Sequence, residues 1–173
     1  KREILECKYD KIDNVVSNEM FVVTEGGKNK IIKKDGSTVL ENGFDDVVSI
    51  DGERIVIELG GKYGVIDLQG NNIIPCEYEK LSTAFENTYI AKKENKYGLI
   101  NSDNSVKVDF KYNNMTYRKE PNFIEADGED YKTDVISSTG ETALAGVILS
   151  EVNTEKGYIR VRQDGDYKYY NFQ

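Results

Sequence analysis

Paired acidic side chains are the residues of this sequence best suited to hydrolytic chemistry. A glycosidase mechanism uses two carboxyl groups about 5 to 10 Å apart across the substrate, and close acidic pairs occur at four places in the chain. They are Asp45 with Asp46, Glu77 with Glu79, Glu125 with Asp127, and Glu129 with Asp130. Because the chain contains 31 acidic residues, such pairs are expected on its surface without any catalytic role. We therefore predict no catalytic residues, and carboxylate-dependent hydrolysis of glycans stays as the alternative function.

Other catalytic and cofactor chemistries lack the residues that they need. The chain contains no histidine, which excludes Ser-His-Asp and Cys-His nucleophiles and every histidine-ligated metal site. It also has no Cys-x-x-Cys pair, phosphate-binding loop or dinucleotide-binding glycine pattern. The segments KKDGST and QDGDYKYY lack the ligand spacing of a calcium loop and are predicted to be turns. The sequence therefore predicts a protein that is not an enzyme and that holds neither a metal nor a cofactor.

A repeat of about 34 residues organises the chain. Apolar or aromatic pairs recur at Ile31-Ile32, Val65-Ile66, Leu99-Ile100, Val135-Ile136 and Tyr169-Tyr170. The spacings between them are 34, 34, 36 and 34 residues. A second marker, an aromatic residue followed three positions later by an apolar one, recurs at Tyr9, Phe44, Tyr78 and Tyr112. Two markers that share one period predict an array of five repeated units.

Each unit is predicted to consist of β-strands joined by hairpin turns. Turn-forming residues follow the apolar pairs at Asp35-Gly36, Gln69-Gly70, Asp103-Asn104 and Thr139-Gly140. A second set precedes them at Gly26-Gly27, Gly60-Gly61, Glu94-Asn95 and Asp164-Gly165. Helical periodicity is absent, apart from an ambiguous segment from Thr142 to Val152. Because the apolar pairs are consecutive rather than alternating, both faces of these strands are expected to be covered.

Two glycines stand between an aromatic residue and an apolar pair, Gly64 in KYGVI and Gly98 in KYGLI. Glycine at a recurring strand position indicates either a positive φ or a close approach of neighbouring backbone. We expect one of these two constraints at both positions.

The segments KYGVIDLQGNNIIPCEYEKL and KYGLINSDNSVKVDFKYNNM resemble the WG-containing repeat family, also called the KWG repeat family. The resemblance is close for residues 60–115 and weaker for 20–50 and 120–173. Tyr63 and Tyr97 stand where the family usually has tryptophan, a residue that this chain lacks. The resemblance implies a β-rich binding or scaffolding repeat of a bacterial protein, and it carries over no catalytic residue.

The predicted fold is all-β, with five β-hairpin repeats of about 34 residues in a single domain over residues 1–173. The first and last units are split between the termini, because the chain starts inside one unit and stops inside another. A propeller-like closed ring, with the strand near Ile4-Leu5 completing the last unit, is favoured over an open array of hairpins. We expect the chain to be part of a longer protein.

Composition limits the partners. A net charge of -8 disfavours binding to nucleic acid, which requires clustered Lys and Arg. No apolar run is long enough to predict membrane insertion by this segment. The sequence therefore predicts a protein or glycan partner. The extracellular space or the surface of a bacterial cell is the predicted location, with the cytoplasm as the alternative.

The best candidates for ligand binding are aromatic and arginine residues that depart from the repeat. Aromatic residues that follow the repeat, such as Tyr63, Tyr97 and Tyr167, are more often packed between units than exposed for binding. The departures lie in the segments TYRKEPNF and KGYIRVRQDG. The predicted ligand-binding residues are Tyr117, Arg118, Phe123, Tyr158, Arg160 and Arg162.

The two cysteines, Cys7 and Cys76, occupy equivalent positions in different units. Equivalent positions two units apart are expected to lie too far apart for a disulfide, which requires Cα atoms within about 7 Å. We predict two small side chains that fill the core, with a disulfide or a reactive thiol as the alternative.

Overall fold

A computed structural model describes residues 8–13, 20–41 and 44–171. The fold is all-β, as predicted, and no helix occurs in these ranges. The segment from Thr142 to Val152, whose pattern was ambiguous, lies within a long strand. No helix among the described residues is long and apolar enough to cross a membrane.

The strands form four antiparallel sheets in which neighbours in sequence are neighbours in space. The first sheet holds β1 (Lys11–Asp13), β2 (Met20–Glu25), β3 (Lys28–Lys33) and β4 (Thr38–Glu41). The second holds β5 (Asp46–Asp51), β6 (Arg54–Leu59), β7 (Lys62–Asp67) and β8 (Asn72–Tyr78). The third holds β9 (Lys80–Thr83), β10 (Thr88–Lys93), β11 (Lys96–Asn101) and β12 (Val106–Tyr112).

The fourth sheet has six strands and contains two repeated units. It holds β13 (Asn114–Arg118), β14 (Phe123–Asp127), β15 (Thr133–Ile136), β16 (Thr142–Asn153), β17 (Tyr158–Gln163) and β18 (Asp166–Asn171). The 12-residue strand β16 is shared, since its first half pairs with β15 and its second half with β17. Each complete unit is thus a meander of four short strands.

The predicted turns are present, and their backbone explains their composition. In the turn between the second and third strands of a unit, both residues have positive φ, as at Gly26 (59°) and Gly27 (75°). Such two-residue turns match the twist of the flanking strands and favour glycine or asparagine. The corresponding connection in the fourth unit is longer, because the Gly128 amide donates to the Lys132 carbonyl and residues 129–131 lie between them. Asp130 (φ 57°) and Tyr131 (φ 58°) have positive φ there, and this loop was not predicted.

The chain divides into two compact units, Lys1–Ser82 and Thr83–Gln173. In the first, the two sheets pack face to face around an apolar cluster that includes Ile31 of β3, Ile55 of β6 and Ile66 of β7. The opposite faces of these strands also bury apolar side chains, such as Ile32 and Val65. The expectation that both strand faces are covered is met in this unit.

The second unit contains two apolar clusters, each between consecutive repeats. One cluster joins Ile90 and Leu99 of the third sheet to Ile124 and Ile136 of the fourth. The other lies between the two halves of the six-stranded sheet and includes Phe123, Val135, Val147, Ile159 and Val161. Every cluster therefore joins one repeat to the next.

Gly64 and Gly98 lie at close approaches of backbone and not at positive φ. A Cβ on Gly64 would lie 2.6 Å from the carbonyl oxygen of Ile74 and 2.8 Å from the amide nitrogen of Cys76. A Cβ on Gly98 would lie 2.7 Å from the carbonyl oxygen of Val108. Both glycines lie where the pairing register between the third and fourth strands of their unit shifts. The fourth strand bulges there, and its backbone occupies the space that a side chain would need.

Other units have a different residue at this position of the third strand. Asp134 replaces the glycine in the fourth unit, where its carboxylate accepts hydrogen bonds from the Gly146 amide (2.7 Å) and the Tyr112 hydroxyl (2.8 Å). Burial, assisted by the bond to Asp134, raises the pKa of Tyr112. In the first unit Lys30 occupies the position and pairs with Glu25 and Glu41.

Two predictions about the termini lie partly outside the described residues. One concerns Cys7, and the other concerns the Ile4-Leu5 segment, which was predicted to close the ring. Cys76 is a free, half-buried thiol, and burial raises its pKa, as expected for a small core side chain. The single domain and the closed ring stay predictions.

Candidate functional site

The C-terminal strands bring three of the six predicted binding residues onto one face of the sheet. Tyr158, Arg160 and Arg162 alternate along β17, so they point away from Ile159 and Val161, which lie in the apolar cluster. In β18, Tyr169 lies opposite Arg160 and Tyr167 opposite Arg162. Together with Glu151 of β16, which lies opposite Arg160, they form a surface that we call the tyrosine face. Its members are Glu151, Tyr158, Arg160, Arg162, Tyr167 and Tyr169.

Polar and aromatic contacts order the centre of the tyrosine face. The Tyr158 hydroxyl donates to Glu151 Oε1 at 3.1 Å, and Arg160 Nη2 lies 3.5 Å from Glu151 Oε2. The rings of Tyr158 and Tyr169 meet edge to face with their centroids 5.4 Å apart, a geometry that stabilises aromatic pairs. The Arg160 guanidinium lies 5.2 Å from the centre of the Tyr167 ring. The face is thus held in place by its own side chains.

The charge of Glu151 is stabilised by this arrangement. Hydrogen bonds from Asn153 and Tyr158, together with the positive charge of Arg160, lower the pKa of the Glu151 carboxyl. Burial, together with its bond to Glu151, raises the pKa of the Tyr158 hydroxyl. At neutral pH Glu151 is therefore ionised and the Tyr158 hydroxyl keeps its proton.

The outer part of the tyrosine face is open to solvent. Tyr167 is 60% exposed and Tyr169 is 61% exposed. Tyr63 and Tyr97, which occupy the repeat position of Tyr167, are half-buried opposite Tyr78 and Tyr112. Arg162 is also exposed, and its Nε donates to the Gly165 carbonyl at 3.4 Å. Exposed tyrosine and arginine are the side chains that most often carry the binding energy of protein interfaces.

The other three predicted residues do not form a common surface. Tyr117 packs edge to face on Phe85 at 5.1 Å, and its hydroxyl donates to Asn122 Oδ1 at 2.9 Å. Arg118, next in the strand, points to the opposite face and pairs with Glu125. Phe123 is only 6% exposed and belongs to the apolar cluster of the six-stranded sheet. Tyr117 and Phe123 therefore serve packing in this structure.

Sequence reasoning missed Glu151 and Tyr169 and assigned Tyr167 to packing. The alternation in DYKYYN places Tyr167 and Tyr169 on one face of a strand, which was a usable pattern. The pairing of β16 with β17 that brings Glu151 opposite Arg160 includes a register shift between Leu149 and Glu151. That shift has no marker in the sequence.

Members of the acidic pairs considered for catalysis form hydrogen bonds or ion pairs with neighbouring residues. Asp45 Oδ2 accepts from the Gly60 amide at 2.6 Å. Glu125 pairs with Arg118, and Asp127 Oδ1 accepts from the Thr133 hydroxyl at 2.9 Å. In residues 8–13, 20–41 and 44–171, no group of three or more His, Cys, Asp or Glu side chains is arranged to hold a metal ion.

Comparison with known proteins identifies the repeat. The family model described as WG containing repeat matches residues 1–28 and 63–97. The second match begins at Tyr63 and ends at Tyr97, the positions where a tryptophan is usual. The resemblance inferred from the sequence is confirmed. No curated protein matches the chain.

Proposed function

From the WG containing repeats at residues 1–28 and 63–97, we propose that this chain is a non-enzymatic binding module of a bacterial WG-repeat protein. Its partner is a protein, bound through the tyrosine face, and a glycan is the second candidate. The observation that carries the proposal is the pair of exposed rings, Tyr167 and Tyr169, beside two arginine side chains.

A protein partner suits this surface better than a glycan does. Two exposed rings in one strand supply a large contact area with little loss of side-chain freedom. The edge-to-face pair and the Glu151 contacts fix Tyr158 and Arg160 before binding, which lowers the entropic cost of association. The guanidinium groups favour acidic or carbonyl-rich partner segments.

The test is a binding screen against arrays of defined peptides and defined glycans. We expect peptide binding, and replacing Tyr167 and Tyr169 together with serine is expected to weaken it about tenfold or more. Tyr131→Ser is the matched control, because Tyr131 is 97% exposed and lies outside the tyrosine face. Peptide binding that survives the double substitution would remove the tyrosine face from the proposal. Binding to glycans alone would make the glycan the partner.

We expect no hydrolytic turnover of common bacterial glycans. A glycosidase needs a carboxylic acid whose pKa is raised so that it can donate a proton. Shifts in the opposite direction are found for Asp67, whose pKa is lowered by its hydrogen bonds to Asn71, and for Glu151, whose pKa is also lowered. The measurement is release of reducing sugar. Activity that disappears in Glu125→Gln or Asp127→Asn would contradict the expectation and favour the hydrolase.

The closed ring is the finer architectural proposal, with the open array as its alternative. The repeat phase supports the ring, because the Asp10 amide donates to Thr24 and its carboxylate accepts from Gly26, as Asp45 does with Glu58 and Gly60. In the sequence repeat, the residues before Tyr9 correspond to the fourth strand of a unit.

A further inference from the structure

A cleft of about 250 Å³ opens between the two halves of the six-stranded sheet. Its apolar walls come from both halves: Phe123, Val135 and Leu144 on one side, Ile159 and Tyr170 on the other. Ile159 and Tyr170 are directly opposite one another in β17 and β18. The cleft therefore lies on the side of these strands opposite to the tyrosine face.

The lining of the cleft combines apolar walls with a few polar groups. Asn122, Ser137 and Asn171 lie among the lining residues. Asn122 is held in place, because its Oδ1 accepts from the Tyr117 hydroxyl and its backbone amide donates to the Arg118 carbonyl at 3.0 Å. Sites for small ligands typically have this composition, with apolar walls for affinity and a few polar groups for orientation.

The volume and lining specify the size and type of group that fits. An apolar cavity of about 150 Å³ is enough to hold benzene, so about 250 Å³ admits a larger ring. Aliphatic side chains form most of the walls, and Phe123 is only 6% exposed. Sugar rings are usually bound by stacking on open aromatic faces, which this cleft offers poorly. A hydrogen-bonding atom at the ring edge would find Ser137, which lines the cleft directly after β15.

We propose that this cleft is a binding site for one aromatic ring that carries a hydrogen-bonding group on its edge, such as an indole. The site is separate from the tyrosine face and does not depend on the function proposed for it. Filling it removes the remaining exposed apolar surface of Leu144 and Tyr170 from water, which supplies the driving force.

The test is a titration of the isotope-labelled chain with indole, followed by the shifts of its amide NMR signals. We expect saturable shifts at residues 121–123, 143–144 and 170–171, with a dissociation constant of about 1 mM, as is usual for a ligand of this size. Glucose at the same concentrations is expected to leave these signals unchanged. Absence of saturable shifts, shifts centred on the tyrosine face, or an equal response to glucose would each overturn the proposal.

Two alanines of β16 provide a matched pair of variants. Ala143 lines the cleft and is exposed, so Ala143→Phe is expected to fill it and weaken indole binding at least tenfold. Ala145 is exposed in the same strand but does not line the cleft, so Ala145→Phe is expected to bind indole normally. Ala143→Leu replaces Ala143→Phe if the larger side chain prevents folding. Unaltered binding in the folded Ala143 variant would overturn the proposal.

A third variant separates this inference from the proposed function. The Tyr167→Ser, Tyr169→Ser double variant is expected to bind indole like the parent chain, because both side chains point away from the cleft. Loss of indole binding in that folded variant would place the aromatic site on the tyrosine face and overturn the cleft as its location.

Discussion

Replacing Gly64 with alanine is expected to lower the free energy of unfolding by about 1 to 3 kcal/mol, with valine at the upper end of that range. The added Cβ would lie 2.6 Å from the Ile74 carbonyl oxygen and 2.8 Å from the Cys76 amide nitrogen. Both atoms belong to the backbone of β8, so rotation of a side chain cannot relieve the clash. The clash is relieved only if β7 moves away from β8. Urea denaturation of the variant beside the parent chain gives the measurement.

Gly128→Ala is the matched control for this effect. Gly128 does not have positive φ, and the nearest atom to its added Cβ would be the Lys132 carbonyl oxygen at 3.5 Å, an ordinary contact. There the alanine mainly restricts the unfolded chain, so stability is expected to stay unchanged or rise by about 0.5 kcal/mol. An unchanged urea midpoint for Gly64→Ala would show that the close approach carries no energetic weight. An equal loss in both variants would show that any glycine replacement has this cost.

Gly98→Ala extends the same argument to the next repeat. Its Cβ would lie 2.7 Å from the Val108 carbonyl oxygen and 3.1 Å from the Phe110 ring. We expect a loss similar to that of Gly64→Ala, because the register shift has the same form in both units. The result bears on the whole repeat. In other units Lys30 and Asp134 stand at this position, so those units do not have the close approach of backbone to a glycine.

Features set by local sequence could be predicted, and features set by strand register could not. The two-residue turns follow from glycine and asparagine at fixed positions, so Gly60-Gly61 and Glu94-Asn95 were found from sequence alone. The loop that contains Asp130 and Tyr131 was missed, because it is longer than the two-residue turns of the other units and a tyrosine at positive φ is unusual. Its backbone conformation is imposed by the strands on either side.

The candidate site shows the same division. Alternation along β17 places Tyr158 and Arg160 on one face of the sheet, and both had been predicted from the sequence as ligand-binding residues. Tyr117 and Arg118 were selected as neighbours in sequence, yet adjacent residues of a strand point to opposite faces. The cleft between Phe123 and Tyr170 depends on how the two halves of the sheet diverge along β16. No spacing in the sequence records that divergence.

Deleting residues 164–173 separates the proposed closed ring from the open array, because an open array is expected to lose only its last repeat and to keep the central repeats folded. The deletion removes β18, whose Tyr170 packs on the apolar cluster that contains Ile159 and Val161. Those two side chains then become accessible to water, and residues 142–163 are expected to lose protection of their amides from exchange. The apolar clusters of the described residues each join one repeat to the next. In such an array stability is approximately a sum of nearest-neighbour terms, so the loss should stay local.

The measurement is amide exchange of the truncated and full chains, read at residues 60–100 and supported by urea melts. The Tyr167→Ser, Tyr169→Ser variant is the control, since it keeps the β18 backbone and alters only the tyrosine face. Near-native protection at residues 60–100 after truncation would contradict the ring and leave the open array. A closed ring behaves differently, because removing β18 would also remove the pairing partner of the strand near Ile4-Leu5 and expose apolar faces at both cut surfaces. For the proposed ring we therefore expect loss of protection at residues 60–100 together with loss of the cooperative unfolding transition in urea.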